Sequence, residues 1–301
     1  MRVVFLGTPE FAVKALENIA REHEVVAAVT QPDRARDRGK AVKSCPVKEC
    51  AERLGIQVLQ YEKISRDGVD ELKALAPDIM VTAAYGQILS NEILGIAKFG
   101  VVNIHASLLP KYRGSAPIQW AIMSGETETG ITIMQTSQGV DCGDIIYQES
   151  TPIGADETSE ELFKRLSETG ASAIIKALKL IESGKAQFTK QNESKATRCR
   201  MLTKADGKLD FCLTAKQLHD RARAIPCYFS IDGKTYKAFD LKAADGKGTC
   251  GEIIKADKEL VIACKDGAVK VGTIQAEGGK RMATDEYLKG HSFIIGTRVD
   301  S

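Results

Sequence analysis

Asn103-Ile104-His105-Ala106-Ser107-Leu108-Leu109-Pro110-Lys111-Tyr112-Arg113-Gly114 closes an apolar run, Phe99 to Ile104, that reads as a buried strand giving way to a turn-rich loop. Side chains two apart on a strand share a face. The stretch therefore aims one amide, Asn103, and one imidazole, His105, side by side where the strand ends. In open α/β sheets that carboxyl edge is where ligands bind. An amide that can donate and an imidazole that can hold a proton suit a site where negative charge develops on oxygen.

Similar apolar runs lie upstream. Residues 2–7, 25–30, 57–60 and 78–83 read as short strands. Between them, Phe11, Ala15, Leu16 and Ile19 recur at helical spacing after Pro9, Pro46 opens a helix that Gly55 closes, and a helix is expected over 67–75. This alternation predicts an α/β fold with a doubly wound, mostly parallel, Rossmann-like sheet. Downstream, a helix over 116–124 precedes strands over 130–135 and 145–150, joined by Gly139-Val140-Asp141-Cys142-Gly143-Asp144. A long helix over 159–183 completes a first domain, residues 1–189. Residues 190–205 are polar and basic without periodicity, and are expected to be an inter-domain linker. Beyond them a helix over 215–224 precedes short β-branched runs separated by Asp232-Gly233, Asp245-Gly246 and Asp266-Gly267, each a hairpin signal. Residues 206–301 are therefore expected to form a small β-barrel of oligonucleotide-binding (OB-like) type.

Composition narrows the class. At 301 residues, two domains can each bury a core. No apolar run approaches the roughly 18 residues of a membrane span. Met1 to Leu6 is followed too quickly by Gly7-Thr8-Pro9-Glu10 to be a signal peptide, and reads as the first strand. The eight cysteines include no Cys-x-x-Cys pair and the four histidines show no zinc spacing. Reduced thiols, no metal and a cytoplasmic location are expected. Cys142 reads as a small core residue rather than a nucleophile. The glycine-poor Gly7-Thr8-Pro9-Glu10 lacks the dinucleotide fingerprint, so no nicotinamide cofactor is expected.

Charge is informative by region. The total is +2, but residues 1–189 carry −4, residues 190–205 carry +4 and residues 206–301 carry +2. Within the first domain, residues 33–48 hold Arg34, Arg36, Arg38, Lys40, Lys43 and Lys48 against Asp33 and Asp37. Two positive segments flanking an acidic domain point to a polyanionic partner.

Asn103, His105 and Asp141 are the candidate reacting groups. An amine attacking a carbonyl-level carbon generates a tetrahedral centre whose oxygen turns negative. Asn103 can donate to that oxygen from its amide, and a protonated His105 can add a charge-assisted bond. Losing one such donor typically costs about 100- to 1000-fold in rate. A carboxylate from Asp141 would hold the imidazole and collect the amine's proton, directly or through water. Taken singly, each also has a structural reading: a satisfied histidine at a strand end, a turn-forming aspartate, an amide capping backbone.

Two blocks raise these residues above the structural reading. Asn103-x-His105-x-Ser107-Leu108-Leu109-Pro110-x-Tyr112-Arg113-Gly114, followed by Gly139-x-Asp141-x-Gly143-Asp144, resembles the 10-formyltetrahydrofolate-dependent formyltransferase family. Several stretches are most similar to the branch that formylates methionyl-tRNA: Gly7-Thr8-Pro9-Glu10-Phe11, Thr30-Gln31-Pro32-Asp33-Arg34, Arg38-Gly39-Lys40, Cys45-Pro46-Val47-Lys48 and Lys208-Leu209-Asp210-Phe211. The resemblance runs essentially full length and is densest over residues 1–150.

It implies formyl transfer from 10-formyltetrahydrofolate to the α-amino group of initiator methionyl-tRNA, by a monomer. Asn103, His105 and Asp141 match the family's catalytic trio. Ser107, Leu108, Leu109 and Pro110 match its folate-binding signature, and backbone around Gln87, Ile88 and Leu89 would face the pterin. Arg38 matches a loop arginine used on the tRNA acceptor end, with Arg34, Lys40 and Lys43 nearby. The C-terminal barrel would also contact tRNA. Ile225-Pro226-Cys227-Tyr228 departs from the Asn-Pro-Trp/Tyr-Pro of many members, and Cys142 stands where Thr is usual. Two other readings fit the same residues. One is a formyltransferase acting on a sugar nucleotide or other small amine. The other is a tRNA- or folate-binding module without catalysis, in which the trio would not converge.

Overall fold

The apolar runs of the first half become seven strands in a computed structural model that describes residues 1–35 and 42–300. They are β1 (Arg2–Gly7), β2 (Glu24–Thr30), β3 (Val58–Gln60), β4 (Ile79–Ala83), β5 (Val101–His105), β6 (Glu128–Gln135) and β7 (Ile145–Pro152). The sheet order is β7-β6-β5-β4-β1-β2-β3. Strands β1 to β5 are parallel, and β6 is antiparallel to both its neighbours. The order reverses between β1 and β4, as in a doubly wound sheet. Helices cover both faces, so β1 and β4 read as continuous apolar runs rather than alternating ones.

Alternation along β5 decides which face carries the chemistry. Val4, Leu6, Ala27, Val29, Met80 and Val101 pack in one cluster with the helices Ile64–Asp67, Val69–Ala74 and Asn91–Leu94. The helix Ser159–Glu182 crosses the opposite face, so close that a Cβ at Gly170 would lie 3.0 Å from Ile104 Cγ2. Ile104 thus faces the long helix, and Asn103 and His105 share the face of Val101. Two departures from the expected boundaries have a local cause. β5 starts at Val101 rather than Phe99, because Gly100 turns the chain at φ +68°. The helix expected over 67–75 runs only over Val69–Ala74, separated at Gly68, the poorest helix former in that stretch, from a preceding short helix, Ile64–Asp67.

The chain divides into two compact units: 1–117, 128–152 and 161–199 in the first, and 118–127, 153–160 and 200–301 in the second. The stretch 190–205 passes from one to the other between Cys199 and Arg200. Its first ten residues are not a free tether. Gln191 is buried, and Arg198–Cys199 pairs in parallel with Arg113–Gly114.

The second unit contains β8 (Cys227–Ile231), β9 (Lys234–Ala244), β10 (Ile253–Ala256), β11 (Leu260–Cys264) and β12 (Gly267–Ala276), all antiparallel in the order β8-β9-β12-β11-β10. Asp232 and Gly233, at φ +50° and +73°, form the two-residue turn between β8 and β9. The β11–β12 turn is Lys265-Asp266, with Gly267 already paired to Cys264. Asp245-Gly246 is not a hairpin turn: β12 occupies the place beside β9 through a ladder from Tyr236 to Ala244, so β10 is no neighbour of β9. The strand ladder stays open. The terminal segment approaches both of its edges, through Ile253 N–H to Thr297 O at 2.9 Å and Asp300 N–H to Ser230 O at 2.7 Å. Among the described residues, no helix is long and apolar enough to cross a membrane.

The helix Ala215–Ala224 starts at a Thr214–Gln217 capping box and buries Leu218 against the strands. Two residues on, Asp220 (side chain 3% exposed) is ion-paired with Arg223 (7% exposed) at 2.8 Å. The same guanidinium donates to Glu157 O at 2.7 Å and Gly154 O at 3.1 Å. Removing the carboxylate would leave a buried cation uncompensated, which costs about 3–5 kcal/mol. Asp220→Ala is therefore expected to lower the denaturation midpoint of the second unit strongly. A midpoint matching the parent in urea titration would show that solvent reaches this pair.

Candidate active site

The cross-strand register sets the first element. Thr82 on β4 stands opposite Asn103 on β5. Its hydroxyl donates to Asn103 Oδ1 at 2.8 Å. That bond turns the carbonyl end of the amide inward, and Asn103 Nδ2 has no partner among the described residues. A donor at a half-buried strand end is left available.

His105, 6% exposed, ends the same strand. Its Nε2 lies 2.9 Å from Tyr112 O. A backbone carbonyl only accepts, so Nε2 carries a hydrogen and Nδ1 is the working atom. Nδ1 faces Asp141 Oδ2 at 3.6 Å. That exceeds a direct hydrogen bond but keeps charge on either group within strong reach of the other.

Asp141 reaches this position from a strained turn. Its φ is +50°, unusual for a residue with a Cβ. Three features of the first unit fix it. Gly114 N–H donates to Asp141 Oδ2 at 2.8 Å. Gln191 Nε2 donates to Asp141 O at 2.9 Å and to Gly143 O at 2.8 Å. Gly143 must be glycine, since a Cβ there would lie 1.7 Å from Gln135 O. Gly114 is equally constrained, at φ +104° with Cys199 O 2.4 Å from any added Cβ.

The Arg113 side chain, 3% exposed, forms the floor of this arrangement. Its Nε donates to Gln191 Oε1 at 2.9 Å, and its two terminal nitrogens clasp Glu193 at 2.9 and 2.7 Å. The guanidinium holds the Glu193 carboxyl below the usual carboxylate range. Cys199 donates its thiol to Tyr112 O and Arg113 O. Burial first, and the Asp141 carboxylate second, push this thiol up to about 11, so it is a protonated donor rather than a nucleophile.

Asp141 therefore faces His105, and Asn103 shares the strand face of His105. The other sequence candidates have diverse settings. Ser107 is fully buried and donates to Lys111 O at 2.7 Å. Leu109 is buried, while Leu108 and Pro110 are half-buried, with a cis bond between Leu109 and Pro110. The Gln87 side chain is occupied by Ile64 N–H and Tyr61 O, each at 2.9 Å. Leu89 is buried, and Ile88 is 84% exposed. Lys43 is exposed, and its backbone pairs with that of Arg34. Arg38 and Lys40 lie outside the described residues. Lys48 is ion-paired with Asp33, so one charge of this basic segment is internally compensated. Among the described residues no cluster of His, Cys, Asp or Glu could hold a metal. A surface cavity of about 500 Å³, lined by Met1, Arg2, His23 and Asp78 among others, opens at the amino-terminal edge of the sheet, away from the trio.

Sequence reasoning missed Gln191 and gave Arg113 no role. Arg113 carried a signal, since it sits within the 103–114 motif. Gln191 carried none: a polar residue in a polar stretch shows nothing of the carbonyls it will meet.

Known proteins share this sequence pattern and this fold. Residues 1–178 match the profile described as "Formyl transferase", and residues 201–292 match "Formyl transferase, C-terminal domain". A methionyl-tRNA formyltransferase of Geobacter sulfurreducens is 42% identical over 99% of this chain and 96% of its own length. Another, from Geotalea uraniireducens, is 41% identical over 99% of this chain and 97% of its own. A crystal structure of an N-formyltransferase from Helicobacter canadensis, solved with folinic acid and dTDP-3-aminofucose, shares the fold at TM-score 0.70 and 21% identity, covering 90% of this chain and 98% of that one. With both family profiles matched in order and relatives of this similarity over the full length, the chain belongs to the formyl transferase family.

Proposed function

We propose that this protein transfers the formyl group of 10-formyltetrahydrofolate to the α-amino group of initiator methionyl-tRNA, acting as a monomer in the cytoplasm. The observation that carries the chemistry is the convergence of Asp141 Oδ2 on His105 Nδ1 beside the available amide of Asn103. Full-length relatives bearing the methionyl-tRNA formyltransferase name favour this amine over a sugar nucleotide.

The residues present fit a folate. Ile88 (84% exposed) and Val140 (66% exposed) leave aliphatic side chains in solvent on the loops that follow β4 and precede Asp141. A flat heterocycle with a polar edge would cover such side chains while backbone groups read its edge. Gln87 would act through backbone only, since its side chain is occupied.

The bound folate supplies a formyl carbon open to attack, with charge arriving on its oxygen. The Asn103 amide donates to that oxygen and stabilises it. His105 works through Nδ1, because Tyr112 O holds Nε2–H. Nδ1 and the Asp141 carboxylate take the proton from the attacking amine and return one to the departing nitrogen. The rest of the work is holding two substrates in register. On the RNA side, Arg38, with Arg34, Lys40 and Lys43, would meet the acceptor end. Lys190, Lys195 and Arg198 are exposed and offer further positive charge to phosphates.

His105→Ala and Asp141→Ala should each reduce kcat by at least about 100-fold, with circular dichroism of the parent. Normal turnover in both folded variants would remove the trio from the chemistry. Arg38→Ala should weaken methionyl-tRNA use and reduce the slope of log K against log salt by about 0.7–0.9. A sugar-nucleotide formyltransferase would show neither effect, and would formylate an amino-sugar nucleotide in the same assay.

A further inference from the structure

We infer that Gln191 is a positioning residue for Asp141, locked in its working orientation by the buried guanidinium of Arg113; the inference rests on the catalytic reading of Asp141 above. The amide of Gln191 has two hydrogens and one carbonyl oxygen, and each has an oxygen or nitrogen partner, with Met134 Sδ a weak further contact of Nε2 at 4.0 Å. The hydrogens go to Asp141 O at 2.9 Å and Gly143 O at 2.8 Å. The oxygen accepts from Arg113 Nε at 2.9 Å. Arg113 in turn is clasped by Glu193, two residues beyond Gln191.

The chain is tied to itself around this point. Arg113 Nε fixes which way round the Gln191 amide lies, because a guanidinium only donates and must meet Oε1. With Oε1 assigned, Nε2 has to face the turn. The two carbonyls it holds are at i and i+2 of the turn that keeps Asp141 at φ +50°. The residue after Arg113 is Gly114, whose N–H holds the Asp141 carboxylate at 2.8 Å. One dipeptide, Arg113-Gly114, therefore governs both attachments of Asp141: its backbone through Gln191 and its carboxylate directly. Without Gln191 the carbonyls of Asp141 and Gly143 lose this donor, and a left-handed non-glycine residue loses a restraint against relaxing. The carboxylate would then stray from His105 Nδ1, and a displacement near 1 Å at a reacting group costs up to about 100-fold in rate.

Gln191→Glu tests this with little change of shape. It keeps the acceptor for Arg113 and removes both donors to the turn. The expected result is a fall in kcat of roughly 10- to 100-fold, with KM for methionyl-tRNA and for formyl-folate within about 3-fold of the parent. Arg113→Lys, which loses the directed Nε bond but keeps a positive charge against Glu193, should fall in the same direction by less.

The decisive readout is a double-mutant cycle measured in single turnover with enzyme in excess. Gln191→Glu should cost nothing further once Asp141→Ala is present, because its effect passes through that carboxylate. Additive losses in the double variant would make Gln191 merely structural and overturn the inference. So would a parental kcat in Gln191→Glu. A parental kcat in Asp141→Ala alone would instead remove the catalytic reading on which the inference stands.

Discussion

The position of the Asp141 carboxylate, 2.8 Å from Gly114 N–H and 3.6 Å from His105 Nδ1, is the constraint around which the first unit is arranged. A free aspartate in a glycine-rich turn would sample many orientations and rarely sit at φ +50°. Here the backbone, the carboxylate and the neighbouring glycine are each restrained. Those restraints come from residues far apart in sequence, 113–114, 143 and 191. Backbone strain of this kind persists only when its surroundings over-determine it.

The sheet supplies the other half of the site by simpler means. Parallel pairing of β4 and β5 puts Thr82 beside Asn103, and the resulting hydrogen bond orients the amide. Strand period alone brings His105 to the same face. Tyr112 O selects the hydrogen on Nε2, so tautomer and ring orientation are fixed by one backbone carbonyl. A rigid strand end thus meets a turn held by distant clamps, which suits chemistry that depends on placing two substrates accurately.

The segment 190–199 shows how composition can mislead about role. It is polar, basic and aperiodic, the usual signature of a connector. Yet it places Gln191 under the Asp141 turn, Glu193 on Arg113 and Arg198–Cys199 alongside Arg113–Gly114. A polar sequence is what this task needs: the partners are backbone carbonyls and a guanidinium, which apolar side chains could not satisfy.

The sequence by itself determined the alternating strands and helices, the antiparallel second unit and the pairing of Asn103 with His105. These follow from local periodicity and turn chemistry, which act over a few residues. The motif 103–114 with Asp141 was legible as a candidate site because the same residues also form the strand end and the turn. Tertiary structure alone decided that β12 lies beside β9, so that Asp245-Gly246 joins strands that do not pair. It alone brought Gln191 and Gly114 to Asp141 across 50 and 27 residues of chain. Such meetings depend on which surfaces come together once the sheet is assembled, and no spacing in the chain encodes them.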